Sequence, residues 1–291
     1  MTPALLRRPL FALLLAGAPA ATAAELIDPA AFGFGRPGYM VDTTFIGSQD
    51  FDGGGFETFE LRTIVPLWKQ RLDNGLRLGV SLGYNLTEYD FSGAGTDREL
   101  HTLEAQLSAF WKKPNSPWWG LGFVTPGLGS DFEKLSGEDF QVAALGLLGY
   151  EFTDSFSVAG GVYASQAHDE GRVLPALGFI WQPGDWTLQV TPPFLVLGRR
   201  LNDKLTVNLS AYPGGGSWDL DEDRRANTLI VSGWQAAAGA IWQFNPRLSL
   251  AVRAGINFAG DLEIRDRNDR TRIDESLDPA PFAALNLRFN F

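Results

Sequence analysis

Seven polar side chains fall opposite apolar stripes along the chain: Glu60, Arg62, Arg77, Glu104, Gln106, Arg253 and Arg288. If the stripes face lipid, these seven point into an enclosed interior. Charges in such a place can line a passage and set its selectivity for a solute. They can equally pair with one another as struts that fill a narrow interior. Both signs occur, and the sequence leaves both readings open.

Other chemistry finds less support. An outer-membrane lipid hydrolase, as a family pattern, sets a Ser two residues from its His base, within hydrogen-bond reach. The two histidines are His101 and His168, followed at plus two by Leu103 and Glu170, so neither supplies that pair. A triad assembled across neighbouring strands stays open, but no catalytic residue is assigned and no enzyme is expected. Asp219-Leu220-Asp221-Glu222-Asp223 lacks the spacing of a twelve-residue calcium loop. Together with the mixed-charge stretch Asp261 to Asp278 it reads as solvated loop. The arginines of that stretch can meet lipopolysaccharide phosphates or pair with their own acidic neighbours. There is no cysteine, hence no disulfide and no cysteine-ligated metal. Neither a metal site nor a cofactor is expected.

The elements that must position the seven are strands. From Leu76 to Thr87 every second residue is apolar: Leu76, Leu78, Val80, Leu82, Tyr84 and Leu86. Arg77, Ser81, Asn85 and Thr87 take the other face. The same period recurs at 204–212, 248–258 and 283–291. These stretches match the roughly 9 to 11 residues of a tilted strand crossing a bilayer, and exceed the roughly 5 to 6 common in soluble sheets.

Connections alternate between short and long. The short ones, such as Leu72-Asp73-Asn74-Gly75, Pro183-Gly184-Asp185 and Asn245-Pro246-Arg247, carry the residues tight turns need. The long ones, near 49–55, 90–99, 129–138, 166–171, 214–227 and 259–280, are rich in Asp, Glu and Gly. Short turns at one end and long polar loops at the other describe a transmembrane β-barrel, with the short turns facing the periplasm. Trp68, Trp111, Trp118, Trp119, Trp181, Trp186 and Trp242 flank the short turns, where an interfacial girdle belongs. Trp68 is out of step with Val65 and Leu67 unless a bulge re-aims it.

At the start, Arg7 and Arg8 precede the apolar run Leu10 to Ala16 and a small-residue stretch ending at Ala24, the order of a secretory signal peptide. Its removal leaves 22 basic against 34 acidic residues, a net charge of −12. Nucleic acid is an unsuitable partner for that surface. At the other end, Leu285, Leu287, Phe289 and Phe291 alternate with Asn286, Arg288 and Asn290. This resembles the C-terminal assembly signal of Gram-negative outer-membrane proteins, whose last strand ends in Phe. The resemblance implies recognition of Phe289 and Phe291 by the barrel assembly machinery. In layout the whole chain is similar to Gram-negative families described only as outer-membrane β-barrels, and that likeness implies no activity.

The expected organisation is a signal peptide at 1–24, a short periplasmic segment at 25–37 and a single all-β antiparallel transmembrane barrel at 38–291. The segment 186–201 joins two turns that both belong to the periplasmic end. It therefore crosses twice as a short hairpin about Pro192-Pro193, giving fourteen strands, or twelve if it does not span. The expected setting is the bacterial outer membrane, with its lipids and lipopolysaccharide as surroundings. The expected function is a passive channel or small-solute transporter. The alternatives are a closed structural or surface-interaction barrel and, third, a lipid hydrolase.

Deleting Phe291 should therefore lower the amount of inserted protein in cells far more than it lowers stability after refolding in detergent. Wild-type levels of inserted protein in the deletion strain would contradict the assembly role.

Overall fold

The computed structural model describes residues 38–290, apart from 94–96, 114, 134, 136, 138, 168–169, 192–193, 221–227 and 267–270. The expected signal peptide, the segment 25–37, His168, Asp221 to Asp223, Pro192-Pro193 and Phe291 lie outside the described residues.

Fifteen strands follow one another: β1 (Gly38–Phe51), β2 (Gly54–Arg71), β3 (Leu76–Gly93), β4 (Arg98–Lys112), β5 (Trp118–Ser130), β6 (Phe140–Thr153), β7 (Phe156–Ala167), β8 (Glu170–Trp181), β9 (Trp186–Thr191), β10 (Phe194–Asn202), β11 (Leu205–Asp219), β12 (Thr228–Asn245), β13 (Leu248–Arg265), β14 (Thr271–Leu277) and β15 (Ala280–Asn290). Each pairs antiparallel with its neighbour in sequence up to β13, and β15 joins β13 to β1. The ring thus closes on fourteen strands, because 186–201 does form two of them. β14 lies outside the ring and pairs only with β13, with Glu263 opposite Asp274 and Ile264 opposite Ile273. It continues the β13 hairpin beyond the barrel, as the alternation on both sides of Asn268-Asp269 implies.

Three of the short turns share one chemical device. The Asn74 side-chain oxygen accepts the Leu76 amide at 3.1 Å. Asn202 accepts Lys204 at 2.9 Å and Leu205 at 3.1 Å, and Asn245 accepts Arg247 at 2.9 Å and Leu248 at 3.1 Å. Each asparagine supplies an acceptor that the reversing backbone lacks. Gly75 completes its turn at φ 84°, a left-handed conformation that side chains disfavour.

The outer face is apolar, with Val41, Phe45, Leu82, Leu103, Leu107, Leu177, Leu209, Val252, Leu285 and Phe289 all exposed. At the short-turn end the aromatics touch in series. Trp118 meets Tyr150 and Tyr150 meets Phe152, each at 4.9 Å between ring centroids, and Phe152 meets Phe156 at 6.0 Å. Tyrosine and phenylalanine thus join the girdle that the tryptophans announce. Trp68 belongs to it because a bulge lies between Pro66 and Trp68, after which Trp68 pairs with outward-facing Val80. Trp119 does not. It is 1% exposed, turned inward, and its indole donates to the Ser157 hydroxyl at 3.0 Å. β5 is apolar on both faces, so its period could not say which tryptophan looks outward.

The loop reading of 214–227 is also corrected in part. β11 continues to Asp219, and Trp218, Asp219 and Leu220 are buried. β11 leaves β10 after Ala211, turns inward at Pro213-Gly214-Gly215-Gly216 and reaches β5, where Asp219 pairs with Ser130.

The assignment of faces has a direct test. Val80→Arg places a charge on the apolar face and should cost about 2–4 kcal/mol in a refolding titration. Ser81→Arg, pointing inward, should cost much less. Equal losses would contradict the register.

Candidate functional site in the barrel lumen

Because neighbouring strands are in register, inward-facing side chains from six strands meet on one level. Asp42 of β1 stands opposite Arg62 of β2 and opposite Asn286 of β15. Thr44 stands opposite Glu60, and Gly83 of β3 is flanked by Ile64 and Glu104. The result is a polar belt across the inner wall.

Two ion pairs span this belt. Arg62 reaches over β3 to Glu104, with Nη2 2.5 Å from Oε1. Gly83 makes this possible, since a Cβ there would come 2.6 Å from the Glu104 carboxylate. Arg253 of β13 reaches over β15 to Asp42 at 2.9 Å and also donates to the Tyr212 hydroxyl at 3.1 Å. The β15 residue beneath it is the small Ala284. Asp42 further accepts Asn286 at 2.8 Å and Thr44 at 3.3 Å. Charge-assisted bonds of this kind are stronger than neutral ones. Small residues on the intervening strands are what let long side chains lie across the wall.

All seven residues singled out in the sequence lie on the inner face. Glu60, Arg62, Glu104 and Arg253 come together in the belt. Arg77 lies elsewhere, over the Phe110 ring at 5.8 Å. Arg288 stands opposite Met40 and approaches its sulfur at 3.7 Å. Gln106 stands opposite Ser81 on β3. The belt thus gathers three carboxylates, Asp42, Glu60 and Glu104, around two guanidiniums, Arg62 and Arg253.

Sequence reasoning missed Asp42, Asn286 and Tyr212, and a further pair at the short-turn end, Lys112 to Glu151 at 2.6 Å. Asn286 lies on a strand whose alternation was recognised, on the face of Arg288, whereas the alternation of β1, which puts Asp42 on the face of Thr44, was not singled out. Tyr212 ends the recognised alternation 204–212 on the face of Asn208 and Ser210, so the period alone would have placed it inside.

Apolar clusters lie beside the belt in the interior. Phe110, Trp119, Leu121, Phe123, Leu145, Leu147, Ala176 and Ile180 pack on the inner side of β4 to β8. Phe56, Tyr89, Leu100, Trp218, Leu220, Leu229, Val231, Leu262 and Leu277 pack at the long-loop end, completed by the inward part of β11. The space therefore holds packed side chains at two levels, with the polar belt beside them.

If the ion pairs are struts, Arg253→Leu should destabilise the detergent-folded barrel by roughly 1–3 kcal/mol, by leaving the Asp42 carboxylate uncompensated. Adding Asp42→Leu should recover at least half of that loss in urea unfolding. A double variant that loses the sum of the two single losses would contradict the strut role.

Three solved structures are similar in outline. They are the toluene transporter TodX of P. putida (12% identity, 91% of this chain and 93% of that one, TM-score 0.41), the translocator domain of the autotransporter NalP from Neisseria meningitidis (13%, 87% and 88%, 0.41) and a FadL homologue of Pseudomonas aeruginosa (11%, 87% and 89%, 0.42). Likenesses this distant carry no inference about the chemistry of this chain. No curated protein sequence matches it. Residues 76–290 match the family model described as a domain of unknown function, DUF6268, and the chain belongs to that family.

Proposed function

We propose that the chain is a barrel of the bacterial outer membrane that passes small solutes selectively, without a wide water-filled pore. The apolar outer face, the aromatic girdle and the alternation of short turns with long polar loops support the membrane setting. The observation that carries the rest is the state of the lumen. The inner charges are tied across neighbouring strands, Arg62 to Glu104 and Arg253 to Asp42. Packed apolar clusters adjoin them. A general diffusion pore needs a continuous column of water, which such filling opposes.

A second reading has one observation behind it. His101 stands directly across the β4–β5 ladder from Ser130, the kind of inter-strand pair a lipid hydrolase would use. The imidazole is otherwise engaged, with Nδ1 2.9 Å from the Tyr84 hydroxyl and the ring stacked on Phe132 at 5.1 Å. The Ser130 hydroxyl accepts the Phe132 amide at 3.3 Å and the residue is 1% exposed. Those contacts weigh against a free nucleophile–base pair. Labelling by a fluorophosphonate that disappears in Ser130→Ala would favour the hydrolase.

In planar bilayers the purified protein is expected to show small or no steady conductance steps. Opening the belt with Arg62→Ala and Arg253→Ala together should raise conductance several-fold. Large ohmic steps from the unmodified protein would contradict the filled lumen.

A further inference from the structure

A single charge stands on the lipid face among apolar neighbours. In the short-turn half of the barrel the described outward positions carry no charged residue except Arg199 of β10. Arg199 is exposed, with Trp186 of β9 directly opposite on one side and Val207 of β11 on the other. Exposed Leu197 lies two residues before it and exposed Leu201 two residues after. A charge on the lipid face of a barrel is costly at the midplane and tolerable only near an interface. Arg199 meets that condition. It lies three residues before Asn202 and its turn, about 10 Å away, at the level of the aromatic girdle.

Strand pairing explains how the side chain is held. Residues directly opposite across an antiparallel ladder stand close, and the Arg199 guanidinium lies over the Trp186 indole, 5.1 Å from the ring centroid. Such stacking uses the flat face of the guanidinium and leaves its N–H donors at the edge. Among the described residues those donors have no hydrogen-bond or ion-pair partner. The next residue shows the alternative. Arg200, on the inward side of the same strand, donates twice to the Asp185 carboxylate, at 3.2 and 2.8 Å. The hairpin supplies an acid to one arginine and none to the other.

What completes Arg199 is an anionic group at the depth of lipid headgroups, joined to apolar chains. Leu197, Leu195 and Leu209, all exposed on the midplane side of Arg199, offer those chains a surface. A phosphate diester presents two free oxygens to the edge of a guanidinium. Among the described residues, no outward position of β8 to β12 carries a carboxylate that would receive the ammonium of a zwitterionic headgroup. A headgroup of net negative charge therefore fits better. We propose that Arg199 and Trp186 form a binding site for one anionic glycerophospholipid of the periplasmic leaflet. The inference goes beyond solute passage and rests only on the reading of the short turns as periplasmic.

The test is native mass spectrometry of the full mature chain in detergent, titrated with phosphatidylglycerol or with phosphatidylethanolamine. One phosphatidylglycerol is expected to bind at least fivefold more tightly than phosphatidylethanolamine. Arg199→Gln should abolish that preference, and Arg199→Lys, which keeps the charge without the planar fork, should retain only part of it. Lys204→Gln removes a charge from the adjacent turn and should change nothing. Arg199 and Lys204 are both exposed, so neither replacement disturbs packing. A preference that survives Arg199→Gln would overturn the site, and so would an equal loss in Lys204→Gln, which would reduce the effect to the general charge of that end. Placement has its own readout. Asp203→Cys, in a chain without cysteine, is expected to resist a membrane-impermeant maleimide in intact cells and to react in lysed ones. Labelling in intact cells would sink the periplasmic reading and the assignment of leaflet, while the selectivity measured in detergent would still decide the site.

Discussion

A bilayer offers no water to backbone amides and carbonyls, so a sheet that crosses it must pair its first strand with its last. Here that requirement is met by nine residue pairs between β1 and β15, from Gly38 with Asn290 to Ile46 with Phe282. The rest of the architecture depends on this seam. Closure with both ends at the short-turn side demands an even number of strands. It is why the weakly patterned segment 186–201 must cross twice, and why β14, which crosses nothing, stays outside the ring. Closure also divides every strand into a face that meets lipid and a face that meets the interior, so all polar chemistry of the spanning region is gathered inside.

Inside, the long side chains solve a spacing problem. Residues directly opposite one another are close, but Arg62 and Glu104 are two strands apart, and so are Arg253 and Asp42. Gly83 and Ala284, on the strands between, lower the inner surface enough for the guanidiniums to lie across it.

Much of the fold was legible because period two is strong wherever one face is apolar and the other polar, as from Leu76 to Thr87. Turn chemistry at Asn74, Asn202 and Asn245 and the parity argument supplied the strand count. Legibility failed where both faces are apolar. In β5 the run Trp118-Trp119-Gly120-Leu121-Gly122-Phe123-Val124 has no polar residue to mark the interior, so Trp119 was taken for a girdle residue although it fills the lumen. It failed again at Asp219, whose acidic neighbours suggest a solvated loop while the glycines before it let β11 turn inward. The belt was half visible. Its members on alternating strands could be named, but which of them meet depends on strand order and register, and those are properties of the closed sheet.

The central claim is the closed seam, and the chain's lack of cysteine makes one measurement direct. Thr43 and Leu285 stand opposite each other across β1 and β15. With Thr43→Cys and Leu285→Cys in one chain, an intramolecular disulfide is expected in the folded, membrane-inserted protein, mapped to those two positions by mass spectrometry. Thiols that stay free under oxidising conditions, or that join only between chains, would mean that the first and last strands do not pair and that the barrel described above does not close.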